Sequence, residues 1–286
     1  FEDDHHVQKI TAGGGGAFLH PTHDFRFARK PQEADATHVQ NYKDFWLAAE
    51  YPEYEESRAM DWKNLGFIRR NPTFGLMTAV IYFVLALLVH GEIAGRFTWW
   101  AAVKATVNRA IEQPLVIVVI VLLMLGLIYF TDSNSKTYKR VAGLVHGLAH
   151  LIAAFFIGWF AYLVTHWLVD TWGVPVPSTR YNLIWFFTVL VIGGLGGYVL
   201  GSMIMGLYLF VSLRFFKRHS NETFSAMKIQ DYKNFLRMHI AADGTLTIYP
   251  IKIQKVPRNW VEGDGRSAPS DGSSPELIEK EPIVIK

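Results

Sequence analysis

Four long stretches of this chain contain no Asp, Glu, Lys or Arg: Phe74 to His90, Pro114 to Phe130, Val141 to Val169 and Tyr181 to Leu213. Crossing a hydrocarbon layer of roughly 30 Å takes about 20 apolar residues in a helix, whereas a helix of a soluble core interleaves polar residues with a period of 3.6. None of the four stretches interleaves. The first two are near the minimum spanning length, and the last two are longer than a bilayer requires, so they tilt, bend or project. Cutting the fourth into two spans would leave about 15 residues each and would carry Arg214, Lys217 and Arg218 to the other side, so it reads as one span. The expected fold class is mainly α, a bundle of about four transmembrane helices.

The formal net charge of the 286 residues is only +3, which gives no indication of nucleic-acid binding. The placement of the cations says more. Arg58, Lys63, Arg69 and Arg70 precede the first span, Lys136, Lys139 and Arg140 fill the second loop, and Arg214, Lys217 and Arg218 follow the fourth, all on one face of an even-numbered bundle. The other face has Arg96, Lys104, Arg109 and Arg180. Lys and Arg near span ends stay on the cytoplasmic side, so both termini are expected in the cytoplasm, with a bacterial inner membrane as the setting. The lack of cysteine fits that compartment. Residues 1–30 lack the apolar run of a signal peptide and the chain begins with Phe1 rather than Met, which reads as a start in mid-protein, with a trimmed chain as the alternative.

The soluble parts do not read as complete folds. Residues 1–50 hold a strand-like stretch, Val7 to Thr11, and then the glycines Gly13, Gly14, Gly15 and Gly16. A lone strand leaves its backbone unpaired, so it needs a sheet from elsewhere. Residues 51–73 read as a helical approach with Trp62 and Phe67 at the interface, and 74–216 as the four-helix domain. Trp99 and Trp100 lead into a short helix that either lies in the outer interface or caps the bundle. In 217–261, Phe235 to Ile240 and Thr245 to Ile251 flank Asp243-Gly244 as a β-hairpin. Residues 262–286 read as a disordered tail from the Gly, Ser, Asp and Pro content after Glu262.

Few residues carry chemistry by type and spacing. The glycine run could let backbone N–H groups approach a phosphate, yet it lacks the Lys-Ser/Thr ending of a P-loop, and a structural turn explains it as well. His20 and His23, beside Asp24, offer nitrogen and oxygen ligands, but a metal needs three or four. His5 and His6 read as a solvated pair. His146 and His150, one turn apart within the third span, raise haem binding, electron transfer or a proton path. Hydrogen bonding between helices is the plainer account, since His90 and His166 lie near the opposite face. Gly193, Gly197 and Gly201 form a smooth stripe for close approach of a helix, in the same chain or in a homo-oligomer.

Several stretches together resemble bacterial membrane-associated calcineurin-like metallophosphoesterases: Lys9-Ile-Thr-Ala-Gly-Gly-Gly-Gly-Ala-Phe-Leu-His-Pro-Thr-His23, Tyr51-Pro with Glu56-Ser-Arg58, and Asn71-Pro-Thr-Phe-Gly75. Asn221-Glu-Thr-Phe-Ser-Ala226, Asp231-Tyr-Lys-Asn-Phe-Leu-Arg237, His239-Ile and Asp243-Gly-Thr-Leu-Thr-Ile-Tyr-Pro250 continue the similarity, which covers most of residues 7–260. The resemblance implies that residues 7–23 end an α/β phosphoesterase domain whose two divalent metals, such as Mn or Fe, are held by Asp, His and Asn. The Gly-Asp/Asn-His-Glu and Gly-His-x-His sequences that would hold them are not in this chain. It also implies that the partners are the lipid bilayer and an N-terminal catalytic domain on which the hairpin docks, and that this chain alone is inactive, with no catalytic residue of its own.

Overall fold

The computed structural model of the chain describes residues 8–16, 18–23, 47–93, 98–112, 114–131, 135–263 and 266–286. His5, His6, Val7 and Asp24 lie outside these residues, as does the side chain of His90. The chain is mainly helical. In order it forms α1 (Tyr54–Ala59), a 3-10 segment (Met60–Gly66), α2 (Phe67–Arg70), α3 (Pro72–Ile93), α4 (Trp99–Glu112), α5 (Pro114–Phe130), α6 (Lys136–Thr171), α7 (Thr179–Phe216) and α8 (Ser220–Met227). The strands follow: β1 (Lys233–Ile240), β2 (Leu246–Ile253), β3 (Trp260–Gly263), β4 (Arg266–Pro269), β5 (Glu276–Leu277) and β6 (Ile283–Ile285). They divide into two compact units, one of Lys63–His219 and one of Phe1–Trp62 with Ser220–Lys286.

The first unit is helical, and its helix ends follow local chemistry. Proline opens α3 and α5, where a missing N–H costs nothing. Ser135 and Ser178 cap α6 and α7, each side chain accepting the N–H three residues on, from Tyr138 at 3.3 Å and Tyr181 at 3.1 Å. At the far end of α7, Lys217 turns left-handed (φ 55°) and the Arg218 N–H reaches back to the Ser212 carbonyl at 3.0 Å. At 1.5 Å per residue, α6 and α7 run roughly 54 and 57 Å, well beyond a hydrocarbon core. Each is long and apolar enough to cross a membrane; the approach Tyr54–Arg70 taken with Pro72–Leu88 makes a third candidate, and α5 is a shorter apolar helix.

The α3–α7 contact is built on small residues. A methyl group at Gly197 would lie 2.7 Å from the Thr78 carbonyl oxygen, one at Gly201 2.5 Å from Thr78 Cβ, and one at Gly193 3.4 Å from Phe83 Cα. The glycine stripe therefore meets α3 of its own chain. Around it, Tyr82, Leu85, Ala154 and Ile157 form one buried cluster and Ala86, Ala161 and Val189 another. Helix α4 presents its small face, with Ala102 fully buried against Tyr162, and leaves Trp99 and Trp100 exposed. Phe67 is a correction to the expected interfacial site: it is buried, its Cβ facing Gly206, where an added methyl would come within 2.8 Å.

In the second unit β1 and β2 pair antiparallel from Lys233↔Ile253 to Ile240↔Leu246. The Ala241 N–H bonds to the Thr245 carbonyl (2.9 Å), and Gly244 takes φ 86°, a value only glycine adopts freely. The expected disordered tail is corrected. Its strand β4 pairs with β3, while β5 and β6 add to the open edge of β2, at Ile251↔Leu277 and Leu246↔Ile285. The Gly-Ser-Pro bias that suggested disorder stops before two β-forming stretches, and Lys252 and Glu276 form a 3.5 Å ion pair across β2 and β5. At the N-terminal side, the expected strand Val7 to Thr11 is reduced among the described residues to a single bridge residue, Gln8, because the chain there turns at the glycines (Gly16 N–H to Gly13 O, 3.2 Å).

Candidate functional site

The glycine run is held by the C-terminal sheet. The Gly14 N–H donates to Asn234 Oδ1 at 3.3 Å, and Lys233 Nζ donates to the Gly16 carbonyl at 3.0 Å. A side chain at Gly14 would overlap the Asn234 amide and displace it from this hydrogen bond. Beside the run lies a groove of about 390 Å³, whose lining includes Gly13, Gly14, His20, Tyr51, Asn234 and Leu236. Burial pushes the Tyr51 phenol pKa up, and the Glu56 carboxylate adds to the shift, so the hydroxyl stays protonated.

His20 and His23 do not converge. His20 is exposed and its ring tilts against Phe18, with centroids 4.7 Å apart. His23 is 1% exposed, its Nδ1 2.8 Å from Ser57 Oγ and its Nε2 3.2 Å from Asp61 Oδ1. By type this is a hydroxyl, an imidazole and a carboxylate in line, the set that activates a serine in hydrolases. Burial decides against that use: Ser57 and Asp61 are 0% exposed, and Ser57 Oγ already accepts the Thr22 N–H at 3.0 Å. The three residues act as a clasp that fixes the 18–23 loop to α1 and the turn after it. Ser57 and Asp61 were missed in the sequence, although their spacing of four places them on one helical face.

A second polar cluster sits inside the helical unit. His150 Nε2 lies 3.2 Å from His146 Nε2, and His150 Nδ1 lies 2.9 Å from the Tyr82 hydroxyl. The His146 ring stacks on Tyr208 at 4.1 Å and 8°. The Tyr208 hydroxyl in turn lies 2.9 Å from His219 Nε2 and 2.8 Å from Thr131 Oγ1. One proton sits between the two facing Nε2 atoms, which couples the direction of one hydrogen bond to that of the other. If His150 donates, its Nδ1 accepts from Tyr82; if His146 donates, the His150 Nδ1–H goes to Tyr82. Either way the Nε2 atoms that could bind an iron face each other. His166 instead pairs with Asp170 at 3.2 Å on its own helix. Among the described residues, no group of three or more His, Cys, Asp or Glu could hold a metal ion. Tyr82, Tyr208, Thr131 and His219 escaped the sequence reading because aromatic and hydroxyl residues in a span look like filler until their partners are known.

Compared with family models, with curated proteins and with solved structures, the chain matches none.

Proposed function

We propose that this chain is the membrane anchor and C-terminal part of a metal-dependent phosphoesterase whose catalytic metals are held elsewhere in the intact protein. The observation that supports it most is the incomplete sheet of the unit formed by the two terminal segments. Leu236, Met238, Ile240, Leu246, Ile248 and Ile285 fall on one face by register, and Met238, Ile240 and Ile285 are 59%, 71% and 39% exposed. A sheet with an open apolar face calls for another layer, and an α/β phosphoesterase domain would supply it. The donor set described here does not suit a two-metal centre, so no chemical step is assigned to this chain. In the intact enzyme two metals would activate water and neutralise the phosphate ester.

Four crossings follow on the same reading. Residues on both sides of the bundle build one unit, joined by the Gly14–Asn234 and Lys233–Gly16 bonds, so the chain enters and leaves on one side and the number of spans is even. With α6 and α7 crossing, the even number is kept if α3 and α5 both cross; at roughly 33 Å α3 spans the core, and α5, at roughly 26 Å, is at the lower limit. The basic clusters favour an orientation with both ends on the cytoplasmic side of a bacterial inner membrane.

Two experiments test these statements separately. The protein is recovered from its native membranes by a tag after Lys286 and assayed on a generic phosphodiester with Mn²⁺ or with a chelator. Chelator-sensitive turnover in a polypeptide longer than this chain is expected, and none from the chain alone. Turnover by the chain alone would overturn the division of labour and make His20 and His23 the first positions to mutate; no turnover in the native form would sink the phosphoesterase reading. For topology, the cysteine-free chain permits single labels: a membrane-impermeant maleimide is expected to reach Lys104→Cys, but not Asn221→Cys, from outside intact cells. Equal labelling would remove the four-span arrangement.

A further inference from the structure

Helices α3 and α5 both pack on α6, and between them a cleft of about 200 Å³ remains open. Its walls are Phe74, Ile81 and Leu85 of α3, Leu123 and Leu127 of α5, and Leu151 of α6. Its floor is smooth where Gly147 lines it and polar at Thr78, Tyr82 and His150; the Thr78 hydroxyl donates to the Gly75 carbonyl at 3.0 Å, and the Tyr82 hydroxyl and His150 Nδ1 are bonded to each other. The cleft thus offers an occupant almost no free polar partner. Met77 and Leu122, at its edges, are 50% and 63% exposed, so on the four-span reading it opens to the hydrocarbon.

Length and charge identify the occupant. From Phe74 to Leu85 the cleft follows α3 for roughly 16 Å, about one leaflet's share of a 30 Å core. Tyr82 meets His150 and Ala86 meets Gly158, so α3 and α6 run parallel; Ile128 meets Gly143 and Met124 meets Gly147, so α5 runs antiparallel. The start of α3, the end of α5 and the start of α6 therefore share one end. The described residues flanking it, 63–71 and 135–140, include Lys63, Arg69, Arg70, Lys136, Lys139 and Arg140 and no carboxylate. Clustered cations beside a membrane attract anionic headgroups.

We infer that the cleft binds one acyl chain of an anionic glycerophospholipid, with the phosphate drawn to the Lys and Arg end. The inference rests on the four-span reading and is independent of the phosphoesterase activity. Gly126 offers a test: it lines the cleft, and an added Cβ there would meet nothing within 4 Å, so Gly126→Leu introduces bulk at the site from a position with open space at its first carbon. Gly194 on α7 is equally open but does not line the cleft, and Gly194→Leu is the control.

The whole chain, purified in detergent, is titrated with phosphatidylglycerol and with phosphatidylcholine of identical acyl chains, and occupancy is read by native mass spectrometry, with thermal melting to confirm folding. Phosphatidylglycerol is expected to bind at least fivefold more tightly. Gly126→Leu should weaken that binding at least tenfold while Gly194→Leu leaves it unchanged, and Leu122→Trp, which narrows the opening, should weaken it as well if Gly126→Leu melts early. Folded Gly126→Leu that binds like the parent overturns the acyl-chain site, and equal binding of the two lipids overturns the headgroup assignment. Failure of the topology is seen separately, in the maleimide labelling.

Discussion

His23 and His146 are hidden to nearly the same degree, 1% and 2% exposed, and their surroundings could hardly differ more. In the unit that includes both the N- and C-terminal segments, His23 is clamped between a hydroxyl and the Asp61 carboxylate, 3.2 Å away. In the helical unit, His146 meets the rings of His150, Tyr208 and Phe130. A unit bordered by water can bring a carboxylate to an imidazole, because the pair's own attraction offsets part of the desolvation. At membrane depth each ion costs more, so rings that share protons replace ions that share charge. Shape then does what charge does elsewhere, as where the glycine stripe of α7 meets Thr78.

The sharpest way to break this contrast is Asp61→Ala. Removing one partner of a buried pair should cost about 3–5 kcal/mol and release the 18–23 loop, read by denaturation and by hydrogen exchange at Thr22. A loss below about 1 kcal/mol would mean that the clasp needs no charge, since that is the size of one ordinary hydrogen bond. In the bundle, Gly197→Leu should cost about 1–3 kcal/mol or more through overpacking on the Thr78 carbonyl, seen as a lower melting temperature in detergent. A full-sized side chain tolerated there would show that α3 and α7 are not held by close approach. Tyr82→Phe, which removes one hydroxyl from the His150 network, should cost only about 0.6 kcal/mol, the usual size of such a bond between membrane helices. A loss comparable to that of Asp61→Ala would place the two histidine sites in the same class.

The smallest effect concerns a solvent-facing carboxylate in the same unit as His23. The Asp243 carboxyl is held below the ordinary carboxylate range by the Thr245 backbone N–H, 3.0 Å away. Its contribution to the hairpin is present above the unfolded carboxyl pKa and is lost as the pH falls through the lower folded value. Protection of the Thr245 amide, relative to its intrinsic exchange rate, should therefore fall on acidification below about pH 4, the range in which an unperturbed Asp protonates. No such change is expected in Asp243→Asn.

Much of the helical unit was legible in the sequence because charge-free length is a signal carried by each segment alone. Of the helix starts only Pro114 was placed from the sequence; the others were put at Phe74, Val141 and Tyr181, inside the ends set by Pro72, Ser135 and Ser178, because charge-free length marks the apolar part of a helix and not its cap. The hairpin was equally plain, since Asp243-Gly244 between two β-rich stretches is a local code. What depends on distant partners was not legible. Ile283 to Ile285 looked like part of a tail because the edge of β2 that receives it lies more than 30 residues upstream. Asp61 carried no signal of its own in the approach segment, and only the fold brings His23 to it across the intervening chain. Phe67, placed at an interface from its neighbours, fills a space that Gly206 opens far along the sequence.

The Gly14–Asn234 hydrogen bond joins residues 220 apart. At a synthesis rate of roughly 5–20 residues per second, the glycine loop leaves the ribosome some 10–40 s before β1 exists. Throughout that interval the loop lacks its Asn234 partner. On the proposed four-span arrangement, closing of the unit would report complete insertion: a bundle caught with an odd number of crossings would leave the two halves on opposite sides of the bilayer, open to quality-control proteases.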